Sequence, residues 1–149
     1  MDLNCVRQWR RGGYMHTTDD RTPVTFITRY YLDKIKRLCD AHGTKLLFVT
    51  APSPVNHTMQ RHNEVQALAD ALAVPYLDLN LNTEELGIDW NLDTLDGGDH
   101  LNYTGCQKAT AYLQRYMQTH YTLPDRRDDV RYEAWNKQAE EFEKLLPQP

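Results

Sequence analysis

The fold is indicated by residues 45–50, KLLFVT, a short and almost continuously apolar run. Such a run is typical of a strand that is buried on both faces of a parallel sheet. A helical pattern precedes it at residues 25–42, with Gly43 as the stop signal. A second helix is predicted from about residue 58 to 72, and a second short strand at 75–79. This alternation of helices and strands with short connections predicts a parallel α/β layer.

Apolar residues at helical spacing predict which side chains each helix buries. A third helix is predicted from about 102 to 120, and a final, strongly charged helix from about 128 to 146. The final helix has only a thin apolar stripe, which predicts a position outside the domain or against a partner. The predicted apolar positions are Ile27, Tyr31, Ile35, Leu38 and Cys39 in the first helix, Val65, Leu68, Ala69 and Leu72 in the second, Cys106, Ala109, Leu113, Tyr116 and Met117 in the third, and Trp135, Ala139, Phe142 and Leu146 in the last.

The chain has 149 residues, enough for one domain with a core but not for two. We expect an irregular amino-terminal segment at residues 1–24, an α/β domain at 25–122 and a helical extension at 123–149. Two parallel strands are too few for a stable sheet by themselves. We therefore expect an incomplete sheet, with further strands supplied by another chain or by sequence outside this one.

Composition excludes several classes of partner. A net charge of −4 argues against binding to nucleic acid or, by charge, to an anionic membrane. The chain lacks both a run of about eighteen apolar residues and the apolar centre of a signal peptide, which predicts a cytoplasmic location for the chain as written. Cys5, Cys39 and Cys106 lack the spacing of metal ligands and are expected to be free thiols, the last two on apolar helix faces.

The candidate catalytic residues lie at residues 95–105, LDGGDHLNYTG, directly before the third helix. Two adjacent glycines predict a tight turn that folds Asp96 back toward His100. An Asp that accepts a hydrogen bond from one ring nitrogen fixes the tautomer and leaves the other nitrogen as a general base. Adjacent side chains on an extended chain point apart, so Asp96 is the favoured partner and Asp99 the alternative. An ordinary solvated turn is the non-catalytic interpretation.

Position in the fold favours the catalytic interpretation. The stretch between the second strand and His100 is long, and long loops that leave the carboxyl ends of parallel strands often carry sites. Asn102 suits the N-cap of the third helix. His57 and His62 could join His100 and Asp96 around a metal, but residues five apart do not share a helix face. We therefore predict neither a metal nor a cofactor.

Residues 96–105, with Lys108, Thr110, Tyr112 and Leu113 after them, resemble the last conserved block of SGNH/GDSL-type hydrolases. The resemblance is to the branch of DltD-like and related cell-envelope proteins of Gram-positive bacteria, which carry an Asp…His-Leu-Asn…Gly signature. It extends over roughly residues 25–135, and the His-Leu-Asn block is its specific part.

The resemblance implies a three-layer α/β/α sandwich around a parallel sheet, and a serine esterase or O-acyltransferase acting on a cell-envelope carbohydrate. His100 would deprotonate the serine, Asp96 or Asp99 would orient His100, and Asn102 would contact the substrate. The family's usual spacing, Asp followed by two residues and His, would require Asp at Gly97. Asp96 therefore fits if the loop has gained one residue.

The expected nucleophile has no good candidate in this chain. Its one serine, Ser53, lies between two prolines and outside any Gly-x-Ser-x-Gly context. The following residue, Pro54, has no N–H for an oxyanion hole, which favours a structural role for Ser53 in the loop. The chain thus resembles the carboxyl-terminal half of such a hydrolase and is expected to be inactive alone. A cell-envelope location and membrane attachment are expected only through a segment absent from it.

The alternative hypothesis is a non-catalytic binding or assembly module. In this interpretation the incomplete α/β sheet is completed by formation of a homodimer, with the last helix and Trp135 at the contact, because exposed sheet edges attract partners.

Overall fold

A computed structural model describes residues 5–146, so the predicted segments 1–24 and 123–149 lie partly outside the described residues. The chain belongs to the mixed α/β class. The helices are α1 (Phe26–Ala41), α2 (Met59–Leu72), α3 (Thr83–Leu86), α4 (Tyr103–His120) and α5 (Glu133–Leu145), the strands are β1 (Phe48–Thr50) and β2 (Tyr76–Asp78), and two 3-10 turns lie at Leu79–Asn82 and Val130–Tyr132.

The predicted bounds of α1, α2 and α4 are confirmed closely, because each helix begins at a side-chain cap. Thr25 accepts a hydrogen bond from the Thr28 N–H at 3.2 Å, and Thr58 accepts one from the Arg61 N–H at 3.4 Å. The last helix, α5, starts later than predicted because a 3-10 turn precedes it. β1 is also shorter than predicted, since residues 45–47 lie outside the strand.

The strands β1 and β2 pair in parallel, with Val49 opposite Leu77, and α2 connects them. Within residues 5–146 no further strand joins this sheet. The register places Thr50 opposite Asp78, so the loops that follow both strands start from the same edge. The predicted parallel α/β layer is therefore present in a two-stranded form.

The core is small, and the burial predicted for α1 and β1 is wrong. Leu68 and Ala69 are buried as predicted for α2. In the predicted apolar stripe of α1, Cys39 is half-buried, but the other four positions are exposed: Ile27 (53%), Tyr31 (58%), Ile35 (44%) and Leu38 (61%). Val49 of β1 is 41% exposed. The apolar pattern correctly indicates which face of α1 and β1 is suited to burial, but no part of residues 5–146 packs on that face enough to bury it.

In α4 the predicted positions Ala109, Leu113, Tyr116 and Met117 are half-buried, and only Cys106 departs from the prediction. Cys106 is exposed, and its neighbour Gly105 is buried. A Cβ atom on Gly105 would lie 2.4 Å from the carbonyl oxygen of Asp93, so the helix approaches residue 93 more closely than any side chain allows. This contact turns Gly105 inward and Cys106 outward. All three cysteines are free thiols, as predicted.

The chain divides into two compact units, which meet in sequence between Leu113 and Gln114 and thus within α4, whereas the sequence places this boundary at residue 122. In the first unit, residues 5–24 contain neither helix nor strand but are hydrogen-bonded to the body. The Trp9 N–H, for example, donates to the Trp90 carbonyl at 3.0 Å. In the second unit, Trp135 of α5 is 71% exposed.

Across residues 5–146, no helix is both long and apolar enough to span a lipid bilayer.

Candidate functional site

The loop that carries the predicted dyad is closed at its base by a bridge between Thr94 and Leu101. Its tip consists of Gly97 and Gly98, whose φ angles are +83° and +99°. These are left-handed conformations that side chains with a Cβ rarely adopt. The predicted tight turn is therefore confirmed, and it reverses the chain between Asp96 and His100.

Asp96 contacts His100 with both carboxylate oxygens. Its Oδ2 lies 2.7 Å from the ring Nδ1 of His100, and its Oδ1 accepts the backbone N–H of the same residue at 2.8 Å. The nearest oxygen of Asp99 lies 3.7 Å from Nδ1, beyond hydrogen-bond distance. Of the two alternatives, Asp96 is therefore the hydrogen-bond partner of the imidazole.

The opposite nitrogen of His100 is available for chemistry. An ionised carboxylate can only accept, so Nδ1 carries the hydrogen and the neutral ring has its lone pair at Nε2. The His100 side chain is 68% exposed, and the described part of the chain offers Nε2 no hydrogen-bond partner. The Asp96 hydrogen bond, followed by the charges of Asp99 and Asp96, raises the pKa of His100. Burial alone would raise the pKa of Asp96, but the hydrogen bonds from His100 outweigh burial and hold it below its usual value.

Ser53 fastens the loop after β1 to the dyad loop. Its hydroxyl donates to the carbonyl oxygen of Asp99 at 2.9 Å and approaches that of Gly98 at 3.3 Å. The Asn56 amide donates to the Asp99 carboxylate close by. The hydroxyl hydrogen of Ser53 is thus used by backbone carbonyls, which supports the structural role inferred for it from the sequence.

Trp9 and Pro54 pack against the tip of the dyad loop. A Cβ on Gly98 would lie 2.8 Å from Cε3 of Trp9 and 2.9 Å from Cγ of Pro54. Glycine is therefore required at position 98 for two reasons, its positive φ angle and this close contact. The indole and the proline ring hold the loop in place.

Asn102 is a capping residue whose amide is used inside the protein. It is only 3% exposed. Its Oδ1 accepts from the Gly105 N–H at 3.1 Å and from the Thr104 hydroxyl at 2.8 Å, and its Nδ2 donates to the Leu92 carbonyl at 2.6 Å. The predicted N-cap is confirmed. The substrate contact that the resemblance implies is not offered by this geometry, because the amide has no exposed group left to present.

Ligand atoms of Asp96, Asp99 and His100 lie within 4.8 Å of one another. Two carboxylates and an imidazole at this separation could hold a divalent cation by distance alone. All three side chains are at least partly exposed, and such groups commonly cluster without an ion. The absence of a metal therefore stays a prediction.

Sequence reasoning missed a second Asp-His cluster, centred on Asp78 at the end of β2. His57 Nε2 and His62 Nδ1 each lie 2.8 Å from its Oδ2. Its Oδ1 accepts from the backbone N–H and the side-chain amide of Asn80, at 2.9 and 2.8 Å. Asp78 is 4% exposed and His57 is 6% exposed. Burial alone would raise the pKa of Asp78, but the hydrogen bonds from His57 and Asn80 outweigh burial and lower it well below its usual range.

These two histidines meet at Asp78 although they are five residues apart, because α2 begins at Met59, capped by Thr58. His57 therefore precedes the helix, and the rule for residues five apart on a helix does not apply. The available signal was positional, since Asp78 ends one parallel strand and His57 lies in the loop that leaves the other.

Asn80 connects the Asp78 cluster to the dyad loop. Its Oδ1 accepts from the Ser53 N–H at 2.9 Å and from the Tyr14 hydroxyl at 3.0 Å, and its Nδ2 also donates to the Ala51 carbonyl at 3.0 Å. Ser53 in turn holds the dyad loop. One hydrogen-bonded network thus joins the ends of both strands, the amino-terminal segment and the dyad loop.

A cleft of about 500 Å³ adjoins this network. Its aromatic lining comes from Trp9, Tyr14 and Trp90, and its polar lining includes Asn80 and Thr83. The rings of Tyr14 and Trp90 meet edge to face at 5.9 Å. Because Trp9 also packs on Gly98, the cleft lies next to the dyad loop.

The chain shows no significant similarity to any protein-family model, curated protein or solved structure.

Proposed function

We propose that His100 and Asp96 are the general base and the orienting acid of serine-type acyl-ester chemistry, either hydrolysis or O-acyl transfer. The observation that carries the proposal is the two-point contact between Asp96 and His100, which fixes the ring and leaves Nε2 exposed. The raised pKa of His100 agrees with it, since an imidazolium formed during the reaction is stabilised by its partner carboxylate.

In the proposed reaction, His100 Nε2 takes the proton of a hydroxyl as its oxygen attacks the acyl carbonyl. The new C–O bond gives a tetrahedral intermediate, which collapses as the former ester C–O bond breaks. Nε2 then returns its proton to the leaving alcohol. Asp96 holds Nδ1–H throughout, so the ring stays in the tautomer that accepts at Nε2.

We propose that the attacking hydroxyl comes from a polypeptide segment outside this chain, which would make the chain the carboxyl-terminal half of an SGNH-type, three-layer α/β/α domain. Two features support this. The hydroxyl of Ser53 is already donated to carbonyls, and β1 and α1 carry apolar surface of the kind that further strands and helices cover.

The substrate is proposed to be an acylated carbohydrate, bound in the cleft beside the dyad loop. Indole and phenol faces pack well against the C–H faces of sugar rings, and Trp9, Tyr14 and Trp90 line this cleft. Asn80 and Thr83 provide polar groups for hydroxyls at the same surface.

The first test is an esterase assay on the chain alone, with p-nitrophenyl acetate as the probe. We expect the wild type and the His100→Ala, Asp96→Ala and Ser53→Ala variants to give the same background rate. A rate that disappears in both His100→Ala and Ser53→Ala would contradict the external nucleophile and identify Ser53 as the attacking group.

The second test reads the genomic sequence upstream of the Met1 codon and co-expresses any segment that encodes a strand followed by a Gly-x-Ser loop. With that segment we expect hydrolysis that falls about 10³-fold or more in His100→Ala, as for other triads. Arg37→Gln, on the exposed surface of α1, is the control and should leave the rate unchanged. A co-expressed enzyme that does not respond to His100→Ala would refute the proposed role of His100.

A second candidate function is an assembly module that completes its sheet by dimerising. It is favoured by the exposed stripe of α1 and by the two-stranded sheet. Light scattering after size-exclusion chromatography should then give a dimer that Ile35→Lys dissociates. If Trp135→Lys dissociates it instead, the contact lies on α5, and a monomer under all conditions would exclude this function.

A further inference from the structure

A second cavity, of about 340 Å³, lies apart from the dyad and its cleft, and the proposed function does not use it. Its polar lining consists of Thr22, Thr25, Thr28, Thr50, His57 and Arg61. Val24 and Val65 contribute an apolar wall. The lining thus combines an arginine and a histidine with four threonines, of which Thr25 and Thr28 hydrogen-bond each other and Thr50 hydrogen-bonds the Tyr76 hydroxyl.

The charge of Arg61 in this cavity is uncompensated. No carboxylate belongs to its lining, and residues 5–146 provide no ion-pair partner for Arg61. The Arg61 guanidinium makes one hydrogen bond, from Nη1 to the Asn56 carbonyl at 2.5 Å, and a guanidinium has five N–H donors. Glu64, on the same helix, is buried and already neutralised by Arg29.

His57 adds a ring nitrogen that is fixed in direction. Its Nε2 is held by Asp78, and Nδ1 has no hydrogen-bond partner among the described residues. The His57 side chain is only 7% exposed. An imidazolium at this position would donate from Nε2 to Asp78 and from Nδ1 to a ligand.

We propose that this cavity binds a small oxyanion, a carboxylate or a phosphate, between Arg61 and His57. Arginine forks and imidazolium N–H groups are strong donors to such oxygens. The valine wall suits a carboxylate with a short apolar tail, whereas phosphate would use only the polar groups of the cavity. The proposal is independent of the function of the Asp96–His100 pair.

The test is calorimetric titration of the full chain with inorganic phosphate, acetate and butyrate, at an ionic strength held constant with chloride. We expect saturable binding of at least one probe, weakened about tenfold or more by Arg61→Gln. Arg37→Gln removes the same charge from an exposed arginine paired with Asp33 and should leave the affinity unchanged. Binding of phosphate alone would identify a phosphate site, and butyrate tighter than acetate would identify a site for short acyl carboxylates.

Imidazole NMR locates the bound probe. The ring resonances of His57 should move with saturation, while those of His100 stay in place. The proposal fails if no probe saturates at concentrations on the order of 10 mM, if Arg61→Gln binds as well as the wild type, or if only the His100 ring responds.

Discussion

Asp78 and Asp96 each hold a histidine ring nitrogen, at 2.8 and 2.7 Å, in opposite surroundings. Asp78 is almost fully buried, and its two oxygens accept four hydrogen bonds, two from histidines and two from Asn80. Asp96 is partly exposed, contacts His100 with both of its oxygens and also receives a backbone hydrogen bond from Asp99. Burial, rather than the chemistry of the pair, therefore separates the two regions.

The comparison shows why one pair stabilises the fold and the other is available to react. A buried carboxylate must have every lone pair satisfied, so Asp78 fixes the ends of both strands through its partners. An exposed ion pair contributes little to stability because water screens it. The same exposure leaves the free ring nitrogen of His100, Nε2, open to a reactant from solution, whereas the free ring nitrogen of His57, Nδ1, belongs to a side chain that is only 7% exposed.

Among variants of these two pairs, Asp78→Asn is expected to change the free energy of unfolding most. A carboxamide presents one acceptor oxygen and one donor NH₂ to four donors, so at least one buried polar group loses its partner. We expect the free energy of unfolding to fall by about 3 kcal/mol, measured by urea denaturation. The matched variant Asp96→Asn should stay within about 0.5 kcal/mol of the wild type. Equal losses in both variants would show that burial does not distinguish the pairs.

The two pairs also differ in how stability depends on pH. The lowered pKa of Asp78 means that its contribution is complete above the unfolded value of about 3.9 and is lost as the pH falls from there toward the folded value. We expect wild-type stability to decline below about pH 4 and the Asp78→Asn variant to decline less steeply there. Urea midpoints between acid and neutral pH measure this, and parallel curves for the two proteins would contradict the assignment.

The next largest change in stability is expected from Gly98→Ala, which tests how the dyad loop is held against Trp9 and Pro54. Gly98→Ala would place a methyl group against Trp9 and Pro54 at a positive φ, and we expect it to cost about 2 kcal/mol or more. Gly97→Ala has a similar φ but its nearest neighbours lie 3.8 Å away, so it should cost about 1 kcal/mol. Thermal or urea unfolding of both variants measures the difference. If Gly97→Ala costs as much, the φ angle alone explains the glycines, and the packing of Trp9 contributes nothing.

Sequence reasoning found the exposed pair because the information is local. Asp96 and His100 are four residues apart, and two glycines between them predict the reversal of the chain. Helix bounds were found for the same reason, since Thr25, Thr58 and Asn102 cap helices that begin directly after them.

The buried pair depends on long-range pairing, and local patterns do not contain it. His57 and Asp78 are separated by 21 residues and meet only because β1 and β2 are parallel and in register. The prediction that α1 buries its apolar face is wrong for a related reason. The periodicity of Ile27, Tyr31 and Ile35 correctly predicts a helix with an apolar face, but periodicity does not say what covers that face, and residues 5–146 leave it exposed.

The smallest effect concerns the protonation of His100 and distinguishes its two acidic neighbours. Asp96→Asn removes a charge and the charged hydrogen-bond acceptor at 2.7 Å, so the raised pKa of His100 should fall toward the usual value of about 6.5. Asp99→Asn removes only a charge at 3.7 Å and should lower it less. Titration of the ring carbon protons by NMR measures both. Because the pKa of His100 is raised, the stability that its protonated ring contributes is fully present below about pH 6.5 and is lost as the pH rises through the raised pKa. If Asp96→Asn and Asp99→Asn lower the pKa of His100 equally, charge alone acts on the ring. The hydrogen bond from Asp96 would then no longer support the proposed chemistry.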